Sequence, residues 1–70
     1  MRFRSASRLE PAHVGRRVTV RRRLPDGSKS DVIGILEALR PGALVVRRAD
    51  DELVRIPLAD VVATRLIAKP

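Results

Sequence analysis

The most constraining feature of the sequence is residues 16–23, in which valine alternates with arginine. Val18 and Val20 share one side of this segment. The opposite side carries four polar residues: Arg17, Thr19, Arg21 and Arg23. Because successive side chains of a strand point to opposite faces, the alternation predicts a half-buried strand with both valines inward.

A turn follows this strand at residues 24–28. Pro25 presets φ, Asp26 can accept a hydrogen bond from its own downstream backbone, and Gly27 accepts a left-handed φ. Apolar segments separated by turns predict four further strands, over residues 31–39, 43–48, 53–56 and 62–68. The separating segments contain Gly or Pro, except for the polar hairpin loop at residues 49–52.

Two short helical turns complete the predicted elements. The first covers residues 9–14, with Glu10 at the N-cap, Pro11 at the first helical position and Gly15 just past the end. The second is a 3-10 turn at residues 57–61. Five short strands at intervals of about 10–15 residues are typical of a small all-β barrel or sandwich. At this length, we expect a five-stranded SH3-like barrel.

The second strand sets the expected core. We expect Ile33, Ile35 and Leu36 to be largely buried and Glu37 to be exposed. Gly34 within the strand predicts a sharp bend or a bulge, through which one long strand serves both halves of the barrel. In the opening turn, we expect Leu9 and Val14 to face the core.

Length and composition exclude several other classes of protein. Seventy residues allow one domain, and the absence of cysteine excludes disulfides and thiolate metal sites. No apolar run approaches the roughly 20 residues that span a bilayer. We therefore expect a cytoplasmic protein without a membrane partner.

Catalytic and metal-binding patterns are not found in the sequence. His13 is the single histidine, so neither a Ser–His pair held by a third group nor a histidine metal site is indicated. The acids at 50–52 are consecutive and lack calcium-loop spacing. We expect no catalytic residue, metal or cofactor within these 70 residues.

The net charge of +7 favours an anionic binding partner. Arginine outnumbers lysine 13 to 2, which a GC-rich genome also produces. The candidate residues for contact with anions or nucleic acid are Arg17, Arg21, Arg23, Arg47 and Arg48. Without aromatic platforms for stacking, the alternative function is weak, non-specific binding to a nucleic-acid backbone.

Three segments carry a family resemblance: residues 14–27 (VGRRVTVRRRLPDG), 30–39 (SDVIGILEAL) and 54–63 (VRIPLADVVA). Together they resemble the SH3-like domain at the N-terminus of GNAT-type N-acetyltransferases from GC-rich bacteria. The resemblance covers about residues 9–69. It implies a non-catalytic accessory domain that precedes an acetyltransferase domain in the same protein.

The expected domain boundaries follow from the periodicity of the sequence, and the linker follows from the resemblance. We expect a mobile basic arm over residues 1–8, the barrel over residues 9–68 and the start of a linker at residues 69–70. The acetyl-CoA pyrophosphate loop of GNAT enzymes, Arg/Gln-x-x-Gly-x-Gly/Ala, does not occur in this chain. Acetyl-CoA is therefore implied only for a following domain, and no acetyltransferase site residue carries over. An excised domain, a truncated product and a free-standing relative all fit the sequence.

Overall fold

A computed structural model describes residues 4–5 and 9–67 of the chain. The described strands are β1 (Arg4–Ser5), β2 (Arg17–Arg23), β3 (Lys29–Arg40), β4 (Ala43–Arg47), β5 (Leu53–Pro57) and β6 (Val61–Leu66). They form one antiparallel sheet in the order β1-β6-β2-β3-β4-β5. Two 3-10 turns, at Pro11–His13 and Leu58–Asp60, precede β2 and β6.

The fold prediction is confirmed: the domain is all-β, with a short helical turn at its start and a 3-10 turn before its last strand. The strands from β2 to β6 correspond to the five that the sequence predicts. The predicted basic arm and linker lie outside the described residues, apart from Arg4–Ser5. These two residues pair with β6, where Arg4 is in register with Thr64.

Strand β3 is the hub of the sheet. It is 12 residues long, and it pairs with β2 through residues 29–35 and with β4 through residues 35–40. The register with β4 shifts between Leu36 and Ala38, so the bulge is at Glu37. The register with β2 is continuous through Gly34. Of the sharp bend or bulge predicted at Gly34, the bulge lies three residues later, and the bend stays a prediction.

The core lies on one side of the sheet, and its main cluster is aliphatic. Thr64, in register with the core residue Val20, is also buried on this side. The buried residues that form the core cluster are Val18, Val20, Val32, Leu36, Leu44, Val46 and Ile56. Leu9, before the first 3-10 turn, packs against this cluster, as predicted. The prediction for Val14 is wrong: it is 46% exposed. It follows the turn as C-cap, and its backbone N–H donates to the carbonyl of Pro11.

The first 3-10 turn has the predicted Glu10 N-cap and Pro11 start. The side chain of His13 has a structural role here, because its Nδ1 accepts a hydrogen bond from the backbone N–H of Glu10 at 2.9 Å. Gly15 has a φ of +94° and connects the turn to β2. Its N–H donates to the carbonyl of Leu36, which attaches the turn to β3.

The β2–β3 turn has the predicted chemistry. Asp26 Oδ1 accepts hydrogen bonds from the backbone N–H and from the hydroxyl of Ser28, at 2.9 and 2.6 Å. Gly27 has a φ of +89°, in the left-handed region that glycine tolerates. The turn therefore fixes the start of the β2–β3 register by local interactions.

Candidate functional site

The side of the sheet opposite the core, the outer face, carries four of the five arginines that the sequence predicts as anion contacts: Arg17, Arg21, Arg23 and Arg47. Directly paired residues of neighbouring strands have their side chains on the same face. One row across four strands therefore consists of Arg17, Ile35, Arg47 and Leu53, on β2, β3, β4 and β5 in that order. Positive and apolar side chains alternate along this row.

The predicted arginines are not all together. Arg17, Arg21 and Arg23 share the outer face of β2, as the alternation predicts. Arg47 lies on β4, two strands away from β2, and Ile35 on β3 separates it from Arg17. Arg48 follows the last residue of β4, where the chain enters the acidic loop at residues 49–52.

Two of the arginines are in ion pairs on the protein surface. Arg21 donates to Asp31, its direct cross-strand partner, from Nε at 2.9 Å and from Nη2 at 3.3 Å. Arg47 donates from Nε to Glu37 at 2.7 Å and from Nη1 to Asp51 at 3.4 Å. Hydrogen bonding to Asp31 raises the pKa of Arg21, and bonding to Glu37 raises the pKa of Arg47. Both guanidinium groups are therefore already hydrogen-bonded to carboxylates of the domain.

The other selected arginines lack such partners. Arg17, Arg23 and Arg48 form no ion pair with the part of the chain that the structure describes. Arg23 is directly opposite Lys29 in the β2–β3 register, and both side chains are exposed. Like charges in directly opposed positions destabilise a sheet. Neither of these two side chains forms an ion pair with another described residue.

The outer face also has an apolar part that the sequence analysis assigned to the core. Ile33 is 46% exposed and Leu53 is 59% exposed, whereas Ile35 is half-buried. The prediction that Ile33 is buried is wrong, and that for Ile35 holds only in part; Leu36 is buried and Glu37 exposed, as expected.

The two-residue alternation of side chains along β3 indicates which of its residues face solvent. Asp31 must face solvent, and Ile33 and Ile35 follow it at steps of two residues. Val32 and Leu36, in the opposite phase, are the residues that enter the core. A run of consecutive apolar residues conceals this phase when it is interpreted by hydrophobicity alone.

The exposed apolar side chains of the outer face do not extend to β2 and β6. On β2 and β6, Thr19 and Ala63 lie on the same face but are 3% and 6% exposed. The Oγ1 atom of Thr19 is buried and has no hydrogen-bond partner among the described residues. The open surface therefore lies over β3, β4 and β5.

Two further searches concern the described residues only. Within residues 4–5 and 9–67, no helix has the length and apolarity to cross a bilayer. In the same residues, no three His, Cys, Asp or Glu side chains are grouped so that they could hold a metal ion.

A comparison with known protein families matches residues 12–65 to the Rv0428c N-terminal Sm-like domain. The match extends from the first 3-10 turn into β6 and covers more than half of the chain. The chain belongs to this family. A search of curated proteins and a search of solved structures each found no match. The expected small barrel agrees with the Sm-like family at the level of the fold.

Proposed function

We propose that this Sm-like domain is a non-catalytic accessory domain of a bacterial GNAT-type N-acetyltransferase. The observation that carries the proposal is the family match over residues 12–65, because the family description calls the matched domain N-terminal. An N-terminal domain precedes other parts of its protein. The resemblance of residues 14–27, 30–39 and 54–63 to the GNAT-associated module supplies the identity of the following domain.

The chemistry of the outer face supports a role in protein contact. The fully buried centres of protein–protein interfaces are more apolar than the remaining surface, and arginine is enriched there. Exposed Ile33 and Leu53 flank the half-buried Ile35 and Arg47 on the outer face. In this proposal, acetyl-CoA binds to the following domain in the cytoplasm, and no residue of the Sm-like domain contacts it.

Non-specific binding to a nucleic-acid backbone is the weaker proposal. Phosphate contacts need guanidinium groups that are free to donate. Arg21 and Arg47 already donate to carboxylates, which leaves Arg17, Arg23 and Arg48 of the five candidates. We therefore place this activity second.

The proposal is tested on the native gene and its product. The reading frame is sequenced beyond codon 70, and acetyl-CoA binding is measured by calorimetry for its product and for a variant that lacks residues 9–68. We expect the frame to encode an acetyltransferase domain with the Arg/Gln-x-x-Gly-x-Gly/Ala loop. Both proteins should then bind acetyl-CoA. A stop codon directly after codon 70, or a product that does not bind acetyl-CoA, contradicts the proposal.

A further inference from the structure

We infer that the open part of the outer face is a docking surface for an acidic protein surface with an apolar centre. We name this part the docking face, and it consists of Arg17, Ile33, Ile35, Arg47, Leu53 and Arg55. The inference rests on the proposed function, which places the partner in the polypeptide that follows the domain in the same reading frame.

The apolar side chains of the docking face occupy neighbouring positions of the sheet. Ile33 and Ile35 are two residues apart on β3 and therefore share a face. The stem of Arg47 lies between Ile35 and Leu53 in the row across the sheet. Arginine stems cover apolar surface while their charged ends stay in water. The face thus joins three apolar side chains through one arginine.

The docking face groups several exposed apolar residues, whereas those elsewhere among the described residues are isolated. Val14 and Leu58 are each 46% exposed, the same fraction as Ile33. They lie next to or in the two 3-10 turns and not on the strands that form the outer face. Single exposed apolar residues are common on protein surfaces, whereas contiguous ones rimmed by polar groups indicate an interaction site.

Two arginines at the margin of the face favour an acidic partner, whereas the charge of Arg47 between them is balanced by Glu37 and Asp51. Arg17 ends the row on β2, and Arg55 is in register with Val45 on the outer side of β5. Neither arginine has an ion-pair partner in the described part of the chain, and both are exposed. Complementary potential across an interface speeds association and excludes wrong partners. Carboxylates around an apolar centre complement this arrangement.

The apolar centre favours a protein over a nucleic acid as the occupant. A duplex backbone presents phosphates and sugars, which satisfy arginines but give Ile33 and Leu53 no apolar partner. An unpaired base could stack on an aromatic ring, but the described residues include no aromatic side chain other than His13. A protein surface can satisfy both the cations and the apolar residues.

Accessibility of single cysteines tests the inference. The chain has no cysteine, so Ile33→Cys, Leu53→Cys, Val14→Cys and Leu58→Cys each introduce one probe into it. Each variant is prepared as residues 1–70 and as the product of the full native reading frame. The rate of thiol alkylation at the probe is followed by peptide-resolved mass spectrometry, and retained folding is checked by circular dichroism. A parallel set of reactions contains residues 1–70 and a 20-base-pair DNA duplex.

We expect alkylation at positions 33 and 53 to be at least tenfold slower in the full product, and alkylation at positions 14 and 58 to change less than twofold. Slower alkylation at 14 or 58 instead would show that the domain docks through another surface, which overturns the inference but not the proposed function. Equal rates at all four positions overturn the inference and remove the support that the surface gives to an accessory role. Protection of 33 and 53 by the duplex would assign the face to nucleic acid and overturn the protein partner.

Discussion

The carbonyl oxygen of Arg47 occupies the space that a β-carbon on Gly34 would need. A β-carbon at this position would overlap that oxygen and approach Cγ1 of Val46 to 2.9 Å. Gly34 lies on the buried side of β3, opposite Val18. The glycine therefore allows β4 to approach β3 closely, and no positive φ is involved.

We predict that Gly34→Ala destabilises the domain by about 1–3 kcal/mol or more, because backbone atoms cannot yield as a flexible side chain can. Gly42→Ala is the matched control, since a β-carbon there meets no atom within 4 Å. It should leave the free energy of unfolding within about 1 kcal/mol of the wild type. Urea unfolding of both variants measures the difference, and equal midpoints would contradict the close approach.

Removal of buried and exposed side chains from β3 should have unequal effects on stability. Leu36 is fully buried, so Leu36→Ala should lower the free energy of unfolding by about 2–5 kcal/mol through loss of apolar contact and formation of a cavity. Ile33→Ala, on the outer face of the same strand, should cost about 1 kcal/mol or less. Thermal or urea unfolding measures both variants. A cost for Ile33→Ala as large as that for Leu36→Ala would show that Ile33 belongs to the core.

The β2–β3 turn should respond to acid through Asp26. Hydrogen bonds from the Ser28 hydroxyl and backbone N–H lower the pKa of Asp26 from its usual 3.8. Because the folded value is the lower one, the ionised turn contributes its full stability above the unfolded pKa and loses it as the pH falls through the folded value. Ser28→Ala should raise the pKa of Asp26 toward 3.8. NMR titration of the carboxyl carbon measures this shift, and an unchanged pKa would contradict the bonding.

The ion pairs of Arg21 and Arg47 should limit any binding to nucleic acid. Of the five candidates, Arg17, Arg23 and Arg48 have no ion-pair partner among the described residues. About three phosphates are then neutralised, and the slope of log K against log salt is about −2.7. Five contacts would give about −4.5. Fluorescence anisotropy with a labelled duplex at several salt concentrations measures the slope. A value near −4.5 would show that Arg21 and Arg47 leave their carboxylates to bind DNA.

Local sequence signals predicted most of the fold. The Pro25–Gly27 turn, the Glu10–Pro11 helix start and the alternation of Val18 and Val20 each depend on neighbouring residues, and the structure confirms all three. The position of the bulge depends instead on how β3 pairs with β4. That pairing is a long-range property, and neither Gly34 nor Glu37 reveals it locally.

The candidate site was only partly predictable for the same reason. Strand alternation correctly placed Arg17, Arg21 and Arg23 on one face. Their ion-pair partners depend on cross-strand register, which the sequence does not specify directly. The imperfect alternation of this apolar segment predicts a buried Ile33, whereas its two-residue spacing from the exposed Asp31 puts it on the outer face.

The central claim, that the docking face serves a protein partner and not the fold, is tested most directly by binding and stability measurements on one pair of variants. Leu53→Asp alters the docking face, and Leu58→Asp makes the same change at an exposed leucine outside it. Calorimetry measures the affinity of each variant of residues 1–70 for the separately expressed remainder of the native reading frame. We expect Leu53→Asp to weaken binding at least tenfold, equivalent to about 1.4 kcal/mol, with a Tm close to that of the wild type. Leu58→Asp should stay within twofold of the wild-type affinity. Equal affinities for the two variants would contradict the claim.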